Sequence, residues 1–296
     1  MSTAGPSQGA NRSPFGGSAA AELANEAASV GGHILPTLFL SHGSPMHAVA
    51  PGEAGRVWAA LGQAFRPRAV VVASAHWETV VPMVTGNPKP QTIHDFGGFP
   101  AELYEIQYPA RGAPALAQEI VDLLKGAGIT AGIDGCRGLD HGAWVPLRHM
   151  FPAADVPIVQ ISVQPERGTR HHVELGRALA PLAADNVLIV GSGHTTHNLR
   201  DFFSARSGSS TPTYARDFAD WVYAQLSSRD TDALVRYRDV APSAERAHPT
   251  EEHFLPLFVA WGAAGDDVRA ERIFEGLEAG ALSMDSYAFR DAGAVG

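Results

Sequence analysis

The sequence predicts an α/β fold in one domain. From Pro36 onward, short β-branched or apolar runs alternate with longer segments of helical period. The apolar runs are continuous, as in strands buried on both faces beneath flanking helices. A chain of 296 residues, 45% of them hydrophobic, is long enough to enclose one sizeable core.

Taken in order, residues 1–33 are rich in Gly, Ser, Ala and Asn and lack a basic start followed by an apolar stretch. They read as a disordered tail rather than a signal peptide, with an amphipathic stretch at 20–30 that is transiently helical. The domain is then 34–296. A first strand is predicted at 37–40 and a helix at 53–64, where apolar residues return every three or four positions. Strands at 69–75 and 80–85 follow, then a helix at 113–127 marked by Leu116, Ile120 and Leu124, and another at 143–150. A strand at 158–163, a helix at 170–183 and a strand at 187–191 repeat the alternation. Helices at 214–227, 231–235 and 251–264 come next, and 268–290 closes the domain as a pair of strands.

The formal charge of −9 and the lack of a Lys/Arg run argue against a nucleic-acid or anionic-membrane partner, since both require a concentrated positive face. No apolar run approaches the roughly 20 residues needed to cross a bilayer. One cysteine, Cys136, excludes an internal disulfide and any Cys-rich metal site, and fits a reducing cytosol. The expectation is a cytoplasmic monomer or small homo-oligomer acting on a small molecule, with any metal held by His, Asp or Glu.

Histidines stand at the ends of three predicted strands: His42 in Leu40-Ser41-His42-Gly43-Ser44-Pro45, His76 in Ala73-Ser74-Ala75-His76-Trp77-Glu78, and His194 with His197 in Gly191-Ser192-Gly193-His194-Thr195-Thr196-His197-Asn198. In open α/β sheets ligands bind beyond the carboxyl ends of strands, so equivalent ends converge although they are distant in sequence. The small residues beside them permit tight turns and close approach of an ion, and neutral imidazole is the commonest metal ligand. One histidine after a strand is more often a hydrogen-bonded loop residue. Three at equivalent ends point to one divalent metal ion.

Pro249 holds His248 extended, and Thr250 is placed to cap a helix opened by Glu251 and Glu252, where negative charge suits the helix N-terminus. On this pattern His253 lies inside that helix and is packed rather than metal-bound. His141, in Gly138-Leu139-Asp140-His141-Gly142-Ala143-Trp144, is either a residue of the helix cap or a group facing substrate. His94 lies on a Gly-rich aromatic loop, Ile93-His94-Asp95-Phe96-Gly97-Gly98-Phe99-Pro100, that either covers a pocket or packs as a hairpin. Trp77, Trp144 and Phe99 are pocket lining or core. His33, His47, His149, His171 and His172 read as surface or helix-face residues.

These motifs, followed by His197-Asn198-Leu199 and His248-Pro249-Thr250-Glu251-Glu252-His253, resemble in residue type and order the DODA-type, LigB-like class III extradiol ring-cleavage dioxygenases over roughly residues 36 to 290. The resemblance implies a single α/β domain with a mixed, mostly parallel central sheet flanked by helices. It places His42, His76 and His248 at metal-ligand positions and His197 as a further ligand or as the acid–base group beside the metal. It makes His141 catalytic and substrate-facing, and His94 substrate-binding. The substrates implied are O2 and a catechol-type ring, DOPA or a related catechol, opened to a semialdehyde. Protocatechuate-type relatives supply a glutamate where this chain offers His248, so the ion is Zn(II) or Fe(II). Three or four histidines suit zinc, and two histidines with a carboxylate suit non-haem iron, with Glu252 as the reserve carboxylate. Electron transfer from ring to oxygen requires a redox-active ion, which zinc is not. Two rival readings are a zinc-dependent hydrolase, which would run without O2, and a non-catalytic metal-binding protein of the same fold.

Overall fold

The computed structural model describes residues 34–206 and 213–291; the tail predicted at 1–33, with its helical stretch at 20–30, lies outside the described residues. Ten strands are described: β1 Thr37–Ser41, β2 Ala69–Glu78, β3 Met83–Thr85, β4 Gly132–Asp134, β5 Ile158–Val163, β6 Val187–Gly193, β7 Val268–Phe274, β8 Leu277–Glu278, β9 Leu282–Ser283 and β10 Ser286–Asp291. Eight of them form one sheet in the order β4-β3-β5-β2-β6-β1-β10-β7. The centre, β5-β2-β6-β1, is parallel. β3 runs antiparallel to β5, and β10 runs antiparallel to both β1 and β7, so the sheet is mixed.

The longer helices are α1 Gly52–Ala64, α2 Pro114–Gly126, α3 His141–Met150, α4 Gly168–Leu179, α5 Tyr214–Ser228 and α6 Leu255–Ala263. Alternate residues of the central strands feed opposite faces. Leu38, Leu40, Val70, Val72, Leu188 and Val190 pack with Trp58, Leu61, Trp144 and Leu147 of α1 and α3. Val71, Val159, Ile161, Val187 and Ile189 pack with residues of α2, α4 and α6, and Phe39 with α5 and α6. The continuous apolar strands are thus covered on both sides.

Departures from the expected elements have local causes. The strand expected at 80–85 is reduced to β3, because Pro82 has no N–H for a ladder and Val80 stands 87% exposed. The helix expected at 170–183 breaks at Pro181, which starts the short helix Pro181–Ala184. The closing pair of strands is β7 and β10, with the β8–β9 hairpin between them. The helix expected at 251–264 starts only at Leu255, with Phe254 as N-cap and Pro256 in the first turn, the position where proline is tolerated. Residues 251–254 are therefore turn, and His253 precedes the helix. Among the described residues no helix is long and apolar enough to cross a membrane.

Candidate metal centre

The carboxyl ends of the parallel neighbours β2, β6 and β1 lie side by side. His42 follows β1, His194 follows β6, and His76 sits within β2, past the point where pairing with β5 becomes irregular between Ala73 and Glu78. Such an irregularity re-aims a side chain. Gly193 and Gly191 let the 253–256 segment descend onto β6: a Cβ on either would lie 2.1 Å from the carbonyl oxygen of His253 or Pro256 respectively. The His194 N–H donates to the same His253 carbonyl at 2.8 Å. This contact delivers His253 to the strand ends.

Three imidazoles consequently converge. His76 Nε2 lies 3.1 Å from His42 Nε2 and 3.3 Å from His253 Nε2. Nitrogens sharing one ion at roughly 2.0–2.1 Å must stand about 2.9–3.4 Å apart for tetrahedral or cis-octahedral angles. Both separations from His76 fit a common ion, and the ligand atoms of all three lie within 4.8 Å of one another. Each opposite ring nitrogen faces the protein: His42 Nδ1 is 3.1 Å from Ser192 Oγ, His253 Nδ1 is 2.9 Å from Glu252 Oε1, and His76 Nδ1 is 3.5 Å from Asp95 Oδ2. An outer acceptor of this sort holds the proton on Nδ1 and leaves the Nε2 lone pair for a metal. Burial is the main cause that lowers the pKa of all three rings, with the neighbouring histidines adding to it, and His76 falls to about 4. Neutral rings are the form that ligates.

His197, His141 and His194 surround this trio. The His197 ring stacks on His253 with centroids 3.4 Å apart and planes 10° from parallel, and the His197 backbone N–H donates to the Ala247 carbonyl at 2.8 Å. Burial, then His248, lowers its pKa to about 3. His194 lies 5.0 Å from His42 between ring centroids, with its Nδ1 buried and without a hydrogen-bond partner.

His141 is placed by Asp140. That buried carboxylate is the N-cap of α3, accepting from Ala143 N–H at 3.2 Å, Ser74 Oγ at 2.6 Å, Arg137 Nη2 at 3.1 Å and Gln160 Nε2. Helix and strand are thereby pinned together, and the His141 and His76 ring centroids come within 3.9 Å. Asp95 completes the contact, with Oδ1 2.9 Å from the His141 backbone N and 3.0 Å from its Nδ1. Burial alone would raise Asp95, but His141 and His76 outweigh it and bring its pKa down to about 2.

Two expected site residues stand elsewhere. His248 is fully buried: its Nε2 is 2.8 Å from the Thr195 carbonyl and its ring stacks on Phe254 at 4.7 Å. It supports the loop after β6 from behind, and the ring nitrogen that converges with those of His42 and His76 is that of His253. His94 uses Nε2 on the Ile106 carbonyl at 3.0 Å and packs among Phe96, Tyr104 and Trp144, which is the hairpin-packing reading. Phe96 meets both His94 and His141 edge-on, so the aromatic loop borders the site. Trp144 is wholly buried core, whereas Trp77 carries the Arg137 guanidinium 5.0 Å above its ring.

The sequence reading put His253 inside a helix as a packed residue and gave Asp95 no role. For His253 the available signal was Pro256, which marks a first helical turn and so moves the helix start past the histidine. Asp95 carried no comparable signal, because its partners are brought to it only by the fold.

The sequence matches the family described as the catalytic LigB subunit of aromatic ring-opening dioxygenase over residues 36–289. It is 42% identical to the 4,5-DOPA dioxygenase extradiol of Beta vulgaris over 87% of this chain and 97% of that protein. It is also 42% identical to the protein of the same name from Escherichia coli (strain K12), over 84% and 93% of the two chains. Among solved structures, an uncharacterized protein from Escherichia coli K12 superposes with a TM-score of 0.72 at 37% identity, covering 86% of this chain and 99% of the other.

Proposed function

The chain belongs to the LigB family of aromatic ring-opening dioxygenases, and from that premise we propose that it opens catechol-type rings by extradiol cleavage with one divalent ion held by His42, His76 and His253. The observation that carries this ligand set is the convergence of three Nε2 atoms whose Nδ1 atoms each face an acceptor. His253 stands in it in place of His248. A redox-active ion such as Fe(II), held by these three residues, would supply a path for electron density between a catecholate and dioxygen, which Zn(II) would not.

The surrounding residues handle protons and orientation. His197, stacked against His253 and neutral, accepts a proton from a catechol hydroxyl and returns one later in the cycle. It is an acid–base group here rather than a fourth ligand. His141, packed against His76 on the other flank, hydrogen-bonds to the substrate. Phe96 sets an aromatic edge beside His141 that suits the flat face of a catechol. DOPA, the substrate in the relatives' names, or a catechol close to it is the compound expected to be opened to a semialdehyde. The exposed thiol of Cys136 fits a reducing cytoplasm, and the chain acts there as a monomer or small homo-oligomer.

Protein loaded anaerobically with Fe(II), Mn(II) or Zn(II) and mixed with a panel of catechols in air-saturated buffer provides the test. Oxygen uptake matched by a semialdehyde chromophore is expected with Fe(II). No oxygen uptake with any metal and any catechol would overturn the proposal.

A further inference from the structure

We infer that Asp95 is a positioning residue whose carboxylate, shared between His141 and His76, fixes His141 as the tautomer with its proton on Nδ1 and so presents a bare Nε2 to the substrate. The geometry is that of one carboxylate between two rings. Oδ1 lies 3.0 Å from His141 Nδ1 and accepts the His141 backbone N–H at 2.9 Å, while Oδ2 lies 3.5 Å from His76 Nδ1. An ionised carboxylate only accepts, so any ring nitrogen held against it must carry a proton. For His76, a proton on Nδ1 is what frees Nε2 to ligate. For His141, the same proton leaves Nε2 as an acceptor, able to take a hydrogen bond from a catechol hydroxyl but, in its neutral form, unable to give one.

The mount is rigid enough for the assignment to hold. His141 is the first residue of α3, and its N–H, among the donors a helix N-terminus leaves unpaired, donates to the same Asp95 oxygen that lies beside the ring Nδ1. Gly142 abuts β2 so closely that a Cβ there would lie 2.6 Å from Ser74 Oγ and 3.0 Å from His76 Cδ2. Helix start, strand and carboxylate leave the His141 ring little freedom to turn. Next to Asp95, the Phe96 ring packs 5.7 Å from the His141 ring centroid. The carboxylate therefore also ties the aromatic loop to the site.

The inference rests on the proposed role of His141, and its test is read separately from ring cleavage. Zinc-loaded protein with 15N-labelled histidine reports each ring's tautomer through long-range 1H–15N correlations, and the His141 signals are identified by their loss in His141→Gln. The wild type is expected to show the Nδ1–H tautomer at His141. Asp95→Ala, which removes the acceptor facing Nδ1, should let the proton pass to Nε2. In iron-loaded protein the same variant should lower kcat about 10- to 100-fold while KM stays within about twofold, as expected for loss of an orienting outer partner. A wild-type His141 protonated on Nε2, or a tautomer unchanged in Asp95→Ala, overturns the inference. If no catechol is cleaved by any form, the tautomer result still decides the role of Asp95 and only the proposed activity fails.

Discussion

Exchanging the roles expected for His248 and His253 gives two alanine variants with opposite signatures. In His253→Ala the protein loses one of three converging donors. Apparent zinc-binding energies of about 10–16 kcal/mol in four-ligand sites correspond to roughly 3–4 kcal/mol per ligand, so affinity should fall on the order of 10²- to 10³-fold. Its fold should change little, because His253 faces the site and its backbone bond to His194 is retained. In His248→Ala the metal should bind within a few-fold of wild type, but a fully buried ring is removed from among Phe254, Phe218 and Tyr237, and the Thr195 carbonyl loses its partner. The cavity and the unpaired acceptor together cost about 2–4 kcal/mol. At roughly 2–3 °C per kcal/mol for a chain of this size, the midpoint should drop about 5–10 °C. Competition titration against a chromophoric chelator measures the first quantity and thermal unfolding of metal-free protein the second. If His248→Ala abolished metal binding and His253→Ala did not, the ligand set argued from the Nε2 convergence would be refuted.

Three further outcomes follow from the same geometry. Gly193→Ala must move its new Cβ about 1.3 Å from the His253 carbonyl to pass from 2.1 Å to the 3.4 Å of ordinary contact; it should cost about 2–3 kcal/mol by urea unfolding and weaken metal binding as well, whereas a wild-type metal affinity would disprove the link. Asp140→Ala removes the cap of α3 and leaves Arg137, Ser74 and Gln160 without their shared acceptor, so a loss of about 3 kcal/mol or more is expected in the same assay. Between His47 and Glu278, paired at 2.9 Å, burial opposes both charges, yet the pair prevails and raises His47 while lowering Glu278. The stabilisation from His47 is whole below its unfolded value of 6.5 and fades as pH rises through the raised folded value; that from Glu278 is whole above 4.5 and fades as pH falls through the lowered one. The stability gap between wild type and Glu278→Gln should therefore be widest from about pH 4.5 to 6.5, and a gap that grew above that range would contradict the pairing.

Much of the architecture was legible because it depends on patterns internal to a segment. The runs around Val70–Val72 and Val187–Val190 mark buried parallel strands, and strand-end position alone brought His42 and His76 under one roof. What escaped depended on where a segment meets another. The apolar run after Glu251 looks helical throughout, and only Pro256 shows that its first turn starts later, which exchanges a packed His253 for one facing the site. β4 is too short to stand out, a three-residue strand that pairs with β3. His248 and His253 lie five residues apart with similar polarity. What separates them is a carbonyl from the loop after β6 on one side and a pair of imidazoles on the other.

The three converging donors are unequally anchored. His42 directly follows β1 and His76 lies in β2, central strands whose amides are laced into a sheet covered on both faces, whereas His253 hangs from a turn between His248 and α6, held by its carbonyl bond to His194 and the Phe254 N–H bond to Glu251. Amides in such a sheet exchange with solvent only through large-scale opening, and those in a turn through small local excursions. An ion bridging the two would lend the turn the sheet's resistance to opening. Slowed amide exchange across 250–254 on metal binding, with the strands nearly unaffected, would show the centre working as a clasp that closes the last link of the fold.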